Sequence, residues 1–269
     1  MTSPALQEVV AVLASPAAGD PSQYLFERAL AAAGLDWRLI TCDIPPERLA
    51  DALRGAVAMG FRGCLVSGPL REPALSLVQT ASPAATFARA VGLLERTGDG
   101  FSGHMTDGRG VIEAVRAHLD PAGRDVLILG AGPTGRAVAL ELALAGAAAI
   151  TVADEDSARA TGLVEDLAAM NTARAEVLPW AATLDLPAGV AVVIRATTAP
   201  LTLVGLLPAV VHVDVAAATE PPPEAVAAGC CLVTGLEVRA VQAAIEFQAL
   251  TGIEADVELL REALDEYLS

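Results

Sequence analysis

The sequence GAGPTG at residues 130–135 is the feature that most limits how this chain can fold. It follows an apolar run, DVLIL, at Asp125–Leu129, and it opens an alanine- and leucine-rich stretch with helical periodicity. A GxGxxG pattern at such a strand-to-helix turn is typical of dinucleotide-binding domains, because glycines permit a tight turn and a close approach to pyrophosphate. The first helical amides also favour phosphate binding. The predicted cofactor-binding residues of the turn are Gly130, Ala131, Gly132, Pro133, Thr134 and Gly135.

An acidic residue follows at the tip of the next predicted strand. Asp154 ends the run ITVAD, 24 residues after Gly130, and Glu155 and Asp156 come directly after it. A carboxylate at this position accepts hydrogen bonds from ribose hydroxyls and repels a 2′-phosphate, whereas an NADP site usually supplies an arginine. We therefore predict that Asp154 binds the cofactor and that NAD is favoured over NADP.

Short apolar runs alternate with helical patterns along the chain, which predicts parallel sheets covered by helices on both faces. The expected strands are residues 8–13, 37–42, 64–66, 125–129, 149–152, 190–194 and 210–215. The expected helices are residues 22–33, a stretch after Pro46, one from Glu72, and 106–118, 134–145, 157–170, 236–250 and 253–268. The predicted fold class is therefore α/β.

The predicted boundary between two domains lies between residues 103 and 104, before the helical segment that precedes the DVLIL strand. Residues 104–236 are predicted to form a Rossmann-type domain with a doubly wound parallel sheet. Residues 1–103 form an N-terminal α/β domain. The two C-terminal helices have no strands left to cover, so residues 237–269 are expected to return to the first domain.

Composition excludes several classes of partner. The formal net charge of −16 would repel nucleic acid, and no basic cluster offsets it. No apolar run reaches the roughly 18 residues of a membrane span, so a soluble cytoplasmic protein is expected. The cysteines have neither CxxC spacing nor a nearby histidine cluster, so buried thiols and no metal site are predicted. They are Cys42, Cys64, Cys230 and Cys231.

Four further segments resemble signatures of the shikimate and quinate dehydrogenases. GHMTDGRGVIEAV (103–115) is similar to their NTDG segment, and GCLVSGPLREPAL (63–75) is similar to NVTIPHKE. VVIRATT (192–198) resembles their VINATS strand end, which implies that Thr197 binds cofactor. GLEVRAVQAAIEFQALTG (235–252) resembles their closing helix, and the order of the segments matches along nearly the whole chain. The resemblance implies a substrate-binding first domain.

The resemblance also implies roles for individual residues. Asp107 matches the aspartate beside the reacting hydroxyl, although a helix cap is the alternative. Gln242 matches a substrate-binding glutamine, although it could instead bond a loop. Ser67 replaces the threonine of NVT. Ser22 matches the second serine of a carboxylate-binding SLSP loop, and Asp20 stands in place of the first. Asp20, Ser22, Ser67 and Gln242 are therefore the predicted substrate-binding residues.

Several departures from the family pattern bear on catalysis. Arg71 replaces the catalytic lysine, and the chain contains no lysine at all. A guanidinium stays protonated, so Arg71 could hold an alkoxide or a carboxylate but could not shuttle a proton. Proton transfer by a positioned side chain contributes about 10²–10⁴-fold to the reaction rate. A surface arginine is its alternative interpretation. His104 could carry that proton or be structural.

Other departures concern the substrate. Gly92 stands in place of the family's asparagine, and alanines 216–218 stand where a tyrosine is expected. Asp20 would face a substrate carboxylate, and two carboxylates repel each other unless one is protonated or a cation intervenes. Shikimate itself is therefore doubtful as the substrate.

The sequence thus predicts a shikimate dehydrogenase-like, NAD(P)-dependent enzyme with Arg71 and Asp107 as catalytic residues. Hydride would pass between nicotinamide and a ring hydroxyl or ketone of a small cyclic hydroxy acid. The resemblance implies a place in aromatic amino acid biosynthesis. We expect a monomer or homodimer with no nucleic-acid or membrane partner. The alternatives are a dinucleotide-binding sensor or assembly protein with little turnover, and a methylene-tetrahydrofolate-type dehydrogenase.

Overall fold

A computed structural model describes residues 7–215 and 221–269 of the chain. The chain divides into two compact units, one comprising Met1–Thr106 with Ala240–Ser269 and the other comprising Asp107–Arg239. The boundaries between the two units lie after residues 106 and 239, whereas the sequence predicts boundaries after residues 103 and 236.

The first unit is built on a six-stranded sheet with the order β2-β1-β3-β5-β6-β4. Its strands are β1 (Val9–Ala14), β2 (Arg38–Asp43), β3 (Gly63–Val66), β4 (Thr80–Ala81), β5 (Leu93–Thr97) and β6 (Gly100–His104). Strands β2 and β3 flank β1 in parallel, while β5 runs antiparallel to both β3 and β6. The helices that accompany them are α1 (Ser22–Ala32), α2 (Leu49–Ala58), α3 (Arg71–Leu75) and α4 (Pro83–Ala88).

The hairpin of β5 and β6 is a feature that sequence analysis missed. Strand β5 reads LLERT and β6 reads GFSGH, so neither has the sustained apolar alternation that marks a strand. The two strands are joined by a tight turn in which Gly98 adopts a φ of +55°. Strand β5 pairs with β3 and β6 pairs with β4, and these are contacts between distant segments that local propensity does not report.

The second unit carries a six-stranded, all-parallel sheet with the order β14-β13-β11-β7-β8-β9, beside a parallel strand pair β10-β12. Its strands are β7 (Asp125–Leu129), β8 (Ala149–Ala153), β9 (Arg174–Val177), β10 (Thr183–Asp185), β11 (Val190–Arg195), β12 (Thr202–Val204), β13 (Val211–Asp214) and β14 (Cys231–Val233). Its helices are α5 (Asp107–Arg116), α6 (Pro133–Leu144), α7 (Ser157–Met170) and α8 (Pro223–Ala227). Helix α5 is therefore shorter than the predicted 106–118.

The sequence of the second unit explains its layers. Strand β7 is apolar, and its four residues after Asp125 are fully buried, as expected for a strand covered on both faces. Helices α5 and α6 approach each other closely, since a Cβ atom on Gly108 would lie 2.2 Å from the Ala137 carbonyl oxygen. A glycine at this point of α5 therefore permits the helix pair.

Two long helices complete the chain, α9 (Gly235–Thr251) and α10 (Val257–Leu268). From Ala240 onward they belong to the first unit. There, Glu266 of α10 forms a salt bridge of 2.8 Å with Arg28 of α1. The ring of Phe247 in α9 lies 5.7 Å from that of Phe26. These contacts attach both C-terminal helices to α1.

The cysteines are only partly as predicted. Cys64 and Cys230 are buried, but Cys42 and Cys231 are half-buried, which corrects the prediction that all four are buried. The Sγ atom of Cys231 also lies 3.4 Å from the Nδ1 atom of His118, so a histidine is near one cysteine after all. Within residues 7–215 and 221–269 there is no cluster of three or more metal-binding side chains. No helix in these ranges is both long and apolar enough to cross a membrane.

Candidate active site

The glycine turn between β7 and α6 has two tightly packed glycines and one open one. Gly130 has a φ of +104°, and a Cβ atom there would lie 2.7 Å from the Ala196 carbonyl oxygen. A Cβ atom on Gly135 would lie 1.9 Å from the Gly130 carbonyl oxygen. By contrast, a Cβ atom on Gly132 would meet nothing within 4 Å. The turn therefore leaves open space at the N-terminus of α6, where a phosphate can approach the helical amides.

Asp154 is bound directly to this turn. Its Oδ2 atom accepts a hydrogen bond of 2.6 Å from the backbone N–H of Ala131, and its Oδ1 atom accepts one of 2.8 Å from that of Asp156. A carboxylate has about four acceptor positions, so these two bonds leave it able to accept more from a ligand hydroxyl. The structure thus brings the predicted acid and the glycine turn together at the ends of β7 and β8.

Asp107 and Thr197 lie next to the same turn. Asp107 begins α5, is only 5% exposed, and accepts a hydrogen bond of 2.7 Å from the hydroxyl of Thr134. Thr197 adjoins Gly130, since a Cβ atom added at Gly130 would lie 3.1 Å from the Thr197 Cβ atom. The predicted catalytic aspartate is therefore connected to the predicted cofactor loop through one side chain.

In the first unit, three predicted substrate residues form what we call the Asp20 cluster, which consists of Asp20, Ser22 and Ser67. The Oδ1 atom of Asp20 accepts hydrogen bonds from the hydroxyl of Ser22 and, at 2.9 Å, from its backbone N–H. The Oδ2 atom of Asp20 accepts a bond of 2.7 Å from the hydroxyl of Ser67. Because β1 and β3 are parallel neighbours, the segments after them meet at one edge of the sheet.

Gln242 belongs to a second, buried polar group in the first unit. Its Nε2 atom donates a hydrogen bond of 3.0 Å to Oε1 of Glu246, and the Thr106 hydroxyl donates one of 3.2 Å to the same oxygen. Glu246 is only 2% exposed, and sequence analysis did not single it out. Its spacing of four residues from Gln242 on one helix face is the signal that could have found it.

Arg71 is held at the end of the central sheet of the first unit. It begins α3, is half-buried, and its Nε atom donates a hydrogen bond of 3.0 Å to the carbonyl oxygen of Val66. His104 lies in β6 with its Nε2 atom 3.6 Å from Oε2 of Glu95. Burial lowers the pKa of His212 in β13. The alanines that replace the expected tyrosine, at 216–218, lie outside the described residues.

A doubly wound parallel sheet with a glycine turn and an acid at the next strand tip defines a dinucleotide-binding α/β protein. Family comparisons agree with this class. Residues 12–94 match the model for the shikimate dehydrogenase substrate binding domain, and residues 113–207 match that for shikimate / quinate 5-dehydrogenase.

Curated relatives and solved structures extend the match to nearly the whole chain. The shikimate dehydrogenase (NADP(+)) of Methanopyrus kandleri is 31% identical over 97% of this chain and 96% of its own. That of Rubrobacter xylanophilus is 34% identical over 70% of this chain and 67% of its own.

Among solved structures, 5-ketofructose reductase of Gluconobacter sp. strain CHM43 has 30% identity and a TM-score of 0.90, covering 97% of this chain and 99% of its own. Shikimate 5-dehydrogenase from Listeria monocytogenes, in complex with shikimate and NAD, has 25% identity and a TM-score of 0.86, covering 98% and 99%.

The chain belongs to the shikimate dehydrogenase family and is a shikimate dehydrogenase-like, NAD(P)-dependent oxidoreductase. The predicted family resemblance and the predicted α/β, Rossmann-type fold are thereby confirmed. So is the prediction of an enzyme that acts on a CH–OH group, over the alternative of a sensor.

Proposed function

We propose that this protein binds a nicotinamide dinucleotide at the glycine turn and transfers hydride between it and an alcohol carbon of a small polyhydroxylated substrate. One observation carries the cofactor assignment: the turn is closed at Gly130 and Gly135 but open at Gly132. A phosphate needs that opening to reach the amides of α6. The cofactor supplies the hydride acceptor or donor. The chain's own residues bind and orient both reactants.

NAD is the proposed cofactor in preference to NADP, although relatives are named as NADP(+) enzymes. Asp154 is half-buried beside the turn, and the acidic residues Glu155 and Asp156 follow it. A 2′-phosphate placed near these carboxylates would be repelled, whereas ribose hydroxyls can donate hydrogen bonds to Asp154.

The test compares kcat/KM for NAD and NADP in the wild type and in Asp154→Asn. We expect the wild type to favour NAD by about tenfold or more, the result of roughly 1.4 kcal/mol of repulsion. Asp154→Asn should reduce that preference, because it removes the charge and keeps the shape. Asp185→Asn, an exposed acid in the same unit, is the matched control and should leave the preference unchanged. A wild type that prefers NADP would contradict the assignment.

Asp107 and Arg71 are proposed to act on the substrate. The Asp107 carboxylate is assigned to the reacting hydroxyl, and its bond from Thr134 orients it. Arg71 is assigned to hold developing negative charge on the substrate oxygen, which a fixed guanidinium can do without moving a proton. Arg71→Lys should therefore raise turnover, since a lysine can also carry the proton. The matched control is Arg89→Lys. Equal or lower turnover in Arg71→Lys would contradict the role assigned to Arg71.

The substrate is proposed to be a small polyhydroxylated ring compound. Relatives named as shikimate dehydrogenases support a cyclic hydroxy acid. The neighbour named 5-ketofructose reductase supports a polyhydroxylated ketone. A panel of shikimate, quinate, 5-ketofructose and fructose, followed by NADH absorbance in both directions, tests the activity. No change in NADH absorbance with any of these compounds, while NAD still binds, would contradict the proposed substrate class.

A further inference from the structure

Three side chains of the second unit form what we call the Cys231 triad, which consists of Cys231, His118 and Glu237. The Nδ1 atom of His118 lies 3.4 Å from the Sγ atom of Cys231, and its Nε2 atom lies 3.1 Å from Oε1 of Glu237. In such an arrangement a base activates a nucleophile, and a third group orients the base. The triad is separate from the residues assigned to hydride transfer.

The carboxylate determines the direction of the hydrogen bonds in the triad. An ionised carboxylate can only accept, so the hydrogen shared with Glu237 is on Nε2 of His118. In a neutral imidazole the other nitrogen then carries a lone pair, so Nδ1 accepts the hydrogen of the Cys231 thiol. Transfer of that hydrogen to Nδ1 leaves a thiolate next to an imidazolium. The triad therefore offers Cys231 a base at hydrogen-bonding distance.

The backbone of three elements fixes the positions of the triad. Cys231 is the first residue of β14, which is an edge strand of its sheet. His118 follows the last turn of α5, where its backbone N–H donates a hydrogen bond to the carbonyl oxygen of Val115. The C-terminus of a helix interacts favourably with a positive charge, which suits an imidazolium. Glu237 lies in the first turn of α9, where its N–H donates a hydrogen bond to the Thr234 hydroxyl.

The triad lies at the amino end of β14, whereas the glycine turn follows the carboxyl end of β7. Because all six strands of this sheet are parallel, the two places are at opposite ends of the strands. Cys231 is half-buried, so a small reagent can reach it. The neighbouring Cys230 is buried, and its Sγ atom donates a hydrogen bond of 3.4 Å to the Leu207 carbonyl oxygen. Cys231 can therefore be modified without a reagent entering the glycine turn.

We propose that Cys231 is a site of oxidation by hydrogen peroxide and other small peroxides, with His118 as the base and Glu237 as the residue that positions this base. His118 takes the thiol proton of Cys231. The thiolate sulfur attacks one oxygen of hydrogen peroxide, so that an S–O bond forms and the O–O bond breaks. The leaving hydroxide takes the proton from His118 and becomes water. Sulfur is thereby oxidised by two electrons to a sulfenic acid, and the peroxide is reduced by two electrons.

The other cysteines provide a comparison within the same chain. Peroxides oxidise cysteines according to thiolate character and exposure. Cys42 is half-buried like Cys231, but burial raises the pKa of its thiol. Cys64 is buried, and burial raises its pKa to about 12. Cys42 is therefore the matched control for exposure, and Cys64 is the unreactive reference.

The test measures oxidation at each cysteine of the full chain. Hydrogen peroxide is added at pH 7, and the sulfenic acid is trapped with dimedone. Tandem mass spectrometry then assigns the label to individual residues and separates the adjacent Cys230 and Cys231. Cys231 should be labelled about tenfold faster than Cys42, because a thiol without an activating base is only a few per cent ionised at this pH.

Variants of the triad test the role of the base. His118→Asn keeps a polar amide beside Cys231 but cannot accept a proton, so it should slow labelling of Cys231 about tenfold at pH 7. At about pH 9.5 ordinary thiols are mostly ionised, so this variant and the wild type should then react alike. Glu237→Gln keeps an oxygen that accepts from Nε2 and should retain most of the rate that Glu237→Ala loses. His104→Asn removes a histidine of the first unit and should leave the labelling of Cys231 unchanged.

Three results would overturn the proposal. The first is labelling of Cys231 that is no faster than that of Cys42, and the second is an unchanged Cys231 rate in His118→Asn at pH 7. The third is a slower rate in that variant that persists at the higher pH, because His118 would then affect only access to the thiol. None of these measurements requires turnover or bound NAD, so they are independent of the proposed function.

Discussion

Adding one methyl group to the glycine turn should either weaken cofactor binding or destabilise the fold, depending on which glycine receives it. At Gly132 the backbone has a φ of −71°, which alanine adopts without strain, and its Cβ atom would meet nothing within 4 Å. Folding stability should therefore change by less than about 1 kcal/mol, in the stabilising direction if at all.

The same methyl group would occupy the space through which the pyrophosphate approaches α6. Losing one hydrogen bond to a charged phosphate costs about 1.5–3 kcal/mol, which is roughly a 10- to 150-fold increase in Kd. Gly135→Ala should instead destabilise the fold, because the added Cβ atom would lie 1.9 Å from the Gly130 carbonyl oxygen, whereas real Cβ contacts stay beyond 3.0 Å. Such overpacking costs about 1–3 kcal/mol or more, which corresponds to a decrease in Tm of roughly 3–10 °C.

The assay combines thermal unfolding with calorimetric titration of NAD for Gly132→Ala and Gly135→Ala. Gly162→Ala in α7 is the control, because its Cβ atom also meets nothing within 4 Å. That variant should bind NAD like the wild type. The reasoning would be refuted if Gly132→Ala bound NAD normally, or if Gly135→Ala unfolded at the wild-type temperature.

Three further predictions concern reactivity and stability. Cys231 should react with iodoacetamide well before Cys64, because burial raises the pKa of Cys64 to about 12, and mass spectrometry of the labelled peptides checks the order. Burial also lowers the pKa of His212 from 6.5. As pH falls below 6.5, the His212 imidazole therefore binds a proton more readily in the unfolded chain than in the folded protein. The free energy of unfolding then decreases by up to about 1.4 kcal/mol per pH unit. His212→Gln should flatten that slope in urea unfolding between pH 7 and 5, and an unchanged slope would contradict the assignment. Phe247→Ala should cost about 3–5 kcal/mol in the same assay, because the ring is fully buried against Phe26, and a cost below 1 kcal/mol would show that this contact is not part of the core.

The features that the sequence predicted well are local ones. The strand before the glycine turn, the turn itself and helix α6 lie within 20 consecutive residues, at Asp125–Leu129 and Pro133–Leu144. Glycine positions, apolar runs and helical periodicity act over such distances, so they report backbone conformation directly. Asp154 was found for the same reason, because it ends the next strand.

The features that the sequence missed depend on residues that are distant along the chain. Sequence reasoning named Asp20 and Ser67 separately, but their hydrogen bond spans 47 residues and exists because β1 and β3 are neighbours. Glu246 lies one helical turn from Gln242, but its other buried partner, Thr106, lies 140 residues away, and that contact is not visible in the sequence. The roles of all these residues in catalysis and substrate binding remain predictions.

The sequence by itself therefore determined the fold class and the family, since both follow from short-range patterns, and from the same patterns it predicted where a dinucleotide binds. Only the tertiary structure decided which polar groups meet, and that the β5–β6 hairpin joins the sheet. Strand order and side-chain pairing arise from packing between segments far apart in the chain. No window of the sequence contains both partners.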